Sequence, residues 1–190
     1  MKITEAIRLL GMVNYWESII QKDITLFPYF KYLALAGGVL LAITQYVPEL
    51  QYKRLKLTLH LPLNENKILS IMLCYGFSII LLFILITLPA LLFGLSIYFP
   101  AEIVWAAYYN MLPWFLAGLA AYLTTSWICL EPQWKQRIMN AIPGICAVSY
   151  FFIAAKSGAY RPFVPCLAGF IIIAFFFSFY STIRFKEGVQ

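Results

Sequence analysis

The chain has 190 residues, 63% of them hydrophobic, 18% aromatic and only 12% charged, with a mean hydropathy of +0.81. Soluble domains carry about a quarter charged residues, so this composition excludes a soluble globular protein and indicates one integral membrane domain. The net charge of +6 does not argue for nucleic-acid binding, because Lys and Arg fall mainly between the apolar runs, where they set orientation.

The first 26 residues carry Lys2, Glu5, Arg8, Glu17, Lys22 and Asp23 and contain no continuous apolar core of the kind a secretory signal needs. Within them Ile3, Ala6, Ile7, Leu10, Val13, Trp16, Ile19 and Ile20 recur at roughly helical spacing. This predicts an amphipathic N-terminal helix over 1–25 that lies along a membrane face or against its neighbours.

Five apolar segments follow, predicting an all-α, polytopic transmembrane bundle of about five membrane helices. The first runs from about Leu26 to Val47, is interrupted by Lys31 and is closed by Pro48-Glu49. The second, Ile68 to about Tyr98 with Pro89 inside, is longer than the bilayer core and predicts tilt, a kink or an end clear of lipid. The third spans about Ile103 to Leu130 around Pro113. The fourth, about Ile138 to Ala155, is short and opens with Pro143-Gly144; the fifth runs from Phe163 to an aromatic close at Phe185. Cys74, Cys129, Cys146 and Cys166 lie within or at the ends of these runs without metal or redox spacing and read as small packing residues.

Between the first two segments, residues 50–67 form a basic, amphipathic, hairpin-like connection. Lys53, Arg54, Lys56 and Lys67 alternate there with Leu55, Leu57, Leu59, Leu61 and Leu63, and Pro62 with Asn64-Glu65-Asn66 marks a turn. Two uses fit this composition. One is a polybasic loop that holds anionic lipid and fixes topology; the other is a short leucine-studded element that docks into a groove on a soluble partner. If this connection is cytoplasmic, so are Lys135, Arg137, Arg184 and Lys186, while Lys2, Arg8, Lys22, Lys31, Lys156 and Arg161 lie opposite. The connection between the second and third segments has no Lys or Arg, which sets the C-terminus inside and the N-terminus outside. An outside start without a signal implies a preceding membrane helix absent from this chain or supplied by a partner. Glu131 to Arg137, also acid, proline and base, is expected to join the 50–67 connection in one exposed cytoplasmic face.

The chemistry that is missing narrows the function. Ionisable groups at membrane depth are costly and mark ion or proton pathways, and the segment interiors here carry hydroxyls and amides such as Thr44, Gln45, Ser78, Thr87, Asn110, Thr124, Thr125 and Ser126 instead. These can satisfy backbone groups or bond between helices. There is no GxxxxGK[ST] to cradle ATP phosphates, and the single histidine, His60, builds no HExxH. No catalytic, cofactor-binding or metal-binding residue is expected.

The order of apolar helix, Pro48-Glu49, then Arg54-Leu55-Lys56-Leu57-Thr58-Leu59-His60-Leu61-Pro62-Leu63 leading into a second helix resembles the cytoplasmic element of type-2 ABC exporter permeases. In that family a Glu-Arg-x-x-Thr-Leu-x-x-Leu-x-x-x-Pro-like stretch forms a coupling helix against the nucleotide-binding subunit. Glu49, Arg54, Thr58, Leu59 and Pro62 match best, with the acid farther ahead of the base than in the usual pattern. The resemblance covers about residues 26–185, as helices two to six of a six-helix family, so the chain departs from the pattern by starting after the first. It implies a permease subunit in a bacterial cytoplasmic (inner) membrane, partnered by a cytoplasmic ATP-binding subunit and by a second permease chain, identical or different, with lipid around it. The ATPase-coupling residues it implies are Glu49, Arg54, Lys56, Thr58, Leu59, His60 and Leu61. Ala34, Gly37, Gly38, Gly118, Ala120 and Ala121 would permit close helix approach, either between permease chains or within one.

Two other readings stand beside it. One is a non-transporting scaffold or assembly subunit that binds a cytoplasmic protein through the same connection. The other is an intramembrane enzyme acting on lipid, for which Glu102, Tyr108, Tyr109 and Asn110 are the only polar set.

Overall fold

A computed structural model describes residues 30–51, 65–131, 133–153 and 159–187, without the side chains of 51, 65, 66, 69 and 181–187. The expected N-terminal helix and residues 52–64 of the basic connection lie outside the described residues. Five helices run through the rest: α1 (Phe30–Gln51), α2 (Glu65–Ser96), α3 (Ala101–Leu130), α4 (Trp134–Ser149) and α5 (Val164–Glu187). Short 3-10 turns at Tyr150–Phe152 and Arg161–Phe163 end α4 and lead into α5. Helical structure is what lipid demands of separate apolar spans, since only a helix satisfies every backbone N–H and C=O within its own segment.

Four of the helices, α1, α2, α3 and α5, are long and apolar enough to cross a membrane, which makes the chain an integral membrane protein. The 16 residues of α4 cover only about 24 Å. The 3-10 turn at its end extends the path to about 30 Å, the thickness of the hydrocarbon core. That length is needed, because α3 ends on the side of the basic connection and α5 begins on the other.

Prolines divide these helices differently from the sequence pattern. Pro100 does end one and start the next: Tyr98 and Phe99 donate to the Leu95 carbonyl at 3.0 and 2.9 Å, and the Pro100 carbonyl accepts from Ile103 at 3.1 Å. By contrast, Pro48 does not close α1, which continues to Gln51. So near the helix end its missing donor frees only one carbonyl, which a membrane helix tolerates. Likewise α4 begins at Trp134 rather than near Ile138, and Pro143 lies in its interior.

The bundle is organised around α3, which touches each of the other four helices. In its most apolar 18-residue stretch 61% is buried, against 17% or 22% in α1, α2 and α5. Its closest neighbour is α1, and small residues bring them together. A Cβ on Gly38 would run into the Gly118 carbonyl oxygen, and one on Gly118 would come within 2.7 Å of the Ala34 carbonyl oxygen. Ala34, Gly38 and Ala42, four residues apart, line this contact on α1. Thus Ala34, Gly38 and Gly118 serve packing within the chain, Ala120 and Ala121 are buried in it, and Gly37 is exposed with nothing near its would-be Cβ. On the other flank of α3, the Ser178 hydroxyl of α5 donates to the Leu123 carbonyl at 2.8 Å, and Trp127 stacks on Phe177 at 5.7 Å. The cysteines contribute little to this packing: Cys74, Cys146 and Cys166 are exposed, and only Cys129 is partly buried.

Gly38→Ala is expected to lower the melting temperature in detergent by ~4 °C or more, since forcing a methyl into a full contact costs about 1–3 kcal/mol. Gly37→Ala, one residue away and facing open space, is expected to leave it unchanged. Equal melting of the two variants would show that α1 and α3 do not meet through Gly38.

Candidate functional site: a polar clamp behind the basic connection

The deepest polar cluster sits where α1, α2 and α3 meet. Gln45 of α1 donates through Nε2 to the Met72 carbonyl of α2 at 2.6 Å. The Tyr122 hydroxyl of α3 has two acceptors within reach, Gln45 Oε1 at 3.0 Å and the Leu73 carbonyl at 3.2 Å. One glutamine and one tyrosine thereby tie three helices together. Gly76 makes room for them, because a Cβ there would run into both the Tyr122 hydroxyl and Gln45 Oε1. Next to this pair Tyr46 is 1% exposed, and its hydroxyl, beside Tyr122 and Ser126, has no hydrogen-bond partner among the described residues.

The clamp lies close to one membrane face. Gln45 is six residues from the end of α1 and Met72 seven from the start of α2, which puts both about 9–10 Å inside the points where the chain leaves for residues 52–64. Several other hydroxyls turn back on their own helices. Thr44 donates to Leu40, Thr87 to Phe83, Thr124 to Ala120 and Ser126 to Tyr122, at 2.6–2.9 Å. Of the amides and hydroxyls expected to satisfy backbone groups or to bond between helices, these four do the first and Gln45 does the second, where Tyr122 and Ser178 join it.

Of the expected coupling residues, Glu49 stands half-buried near the end of α1, one turn beyond Gln45. Arg54, Lys56, Thr58, Leu59, His60 and Leu61 lie outside the described residues. The second stretch of the expected cytoplasmic face, Glu131 to Arg137, is present on the same side but differently disposed. Glu131 is buried rather than exposed, the Arg137 guanidinium donates through Nε to the Glu131 carbonyl at 2.6 Å, and it also lies over the Trp134 ring at 5.6 Å. These contacts fix the turn into α4 and leave Trp134 and Lys135 on the surface.

At the far face Trp105, Tyr108 and Tyr109 form an edge-packed aromatic group, with ring centroids 5.3–6.4 Å apart, and Arg161 lies over Tyr109 at 5.0 Å. Such a group is the ordinary anchor of a membrane interface. Glu102 is exposed in the first turn of α3, apart from the half-buried Tyr108, Tyr109 and Asn110. Among the described residues no three His, Cys, Asp or Glu come together in a way that could hold a metal. No family model matches the chain, and neither a curated protein nor a solved structure does.

Tyr122→Phe is expected to cost about 0.6–1.7 kcal/mol of stability in mixed micelles, the range of interhelical hydrogen bonds in lipid. Gly76→Ala should cost more, since it displaces both partners at once. A Tyr122→Phe variant that resists unfolding by SDS as well as the parent would show that the clamp holds nothing together.

Proposed function

We propose that the chain is the membrane-spanning permease subunit of an ATP-driven exporter of the type-2 ABC class, in a bacterial cytoplasmic membrane. A separate ATP-binding subunit would drive it by pressing on residues 52–64, and a second permease chain, identical or different, would complete the pathway. The observation that carries this reading is the combination of an uncharged membrane interior with a polar clamp directly behind the basic connection. Residues 32–48, 68–101, 103–130 and 162–183 contain no Asp, Glu, Lys or Arg, so no proton or ion relay runs through the spans. The driving force then has to enter from outside the bilayer. A push on residues 52–64 would reach α1 and α2 within two turns, and through Tyr122 it would reach α3, so the three helices would move as one body.

In this mechanism Arg54 and Lys56 steer the ATPase subunit, Thr58, Leu59, His60 and Leu61 form the docked surface, and Glu49 orients the start of the connection. The chain itself contributes no catalytic group; hydrolysis belongs to the partner.

Affinity purification of the full chain from native membranes in mild detergent is expected to bring down a P-loop ATPase in stoichiometric amount. Leu59→Asp should lower its recovery about tenfold or more, as expected for charging a buried contact worth about 2 kcal/mol. A folded chain that recovers a cytoplasmic protein without a P-loop would favour the scaffold instead.

A further inference from the structure

We draw no further inference here: the strongest candidate, the cleft between α1 and α2 floored by Phe115 and Gly118 of α3, is lined by apolar residues alone, and nothing in the structure shows what covers it.

Discussion

The backbone contact of α1 with α3 at Gly38 and Gly118 is the constraint from which the rest of the bundle follows. Lipid offers no hydrophobic drive for helix association, so helices in a bilayer are held by close packing and by hydrogen bonds. Two glycines facing each other let the backbones approach until the Gly118 carbonyl occupies the place of a Gly38 side chain. That approach fixes α1 parallel to α3 and, one to two turns further along, brings Gln45 and Tyr46 against Tyr122. The polar clamp is thus a consequence of the small-residue contact, and α2 is recruited to it through the Met72 and Leu73 carbonyls.

The distribution of attachments makes the two ends of the bundle mechanically unlike. At the end facing the basic connection, α1, α2 and α3 share hydrogen bonds and the turn into α4 is fixed by Arg137 on the Glu131 carbonyl. At the other end α2 and α3 are joined by the Pro100 turn, the Tyr160 hydroxyl donates to the Tyr150 carbonyl at 2.6 Å, and no hydrogen bond is seen between α1 and α2 among the described residues. A force applied to residues 52–64 would meet the hydrogen-bonded junction of α1, α2 and α3 first. In the exporter reading that asymmetry gives the driving subunit something rigid to push and leaves the far half free to change its opening.

Much of this organisation is legible in the sequence, for a physical reason: burial in lipid requires long uncharged runs, and such runs are visible without any knowledge of contacts. The five segments and the confinement of Lys and Arg to helix ends could be read from them. Pairing could not. The hydrophobic faces of α2 and α3 are apolar all round, so no periodicity says which side meets which neighbour, and the small residues of α1 and α3 fit contacts within a chain as well as between chains. Gln45 stood out as an amide inside an apolar run, but its partner Tyr122 is one of 13 tyrosines and carries no local signal. Pro48 misled because a proline near a membrane-helix end leaves its own helix nearly intact, and Glu131 because a charged residue beside a proline normally marks exposed chain, whereas here the residue is buried. Three of the four cysteines face outward for a related reason: in lipid a small apolar side chain gains as much on the surface as in the core.

Beyond the clamp, an apolar cleft lined by Leu33, Gly37, Leu41 and Phe83 separates α1 from α2. From Gln45 towards Lys31, α1 is gripped by α3 on one side and faces the cleft on the other, so the angle between α1 and α2 is set at one end by a hydrogen bond and at the other by whatever fills the space between Leu33 and Phe83. The buried Tyr46 hydroxyl lies beside Ser126 and Tyr122 next to the clamp. A polar group so deep in an apolar bundle has to stay near polar partners, which ties the rotation of α1 to the position of α3.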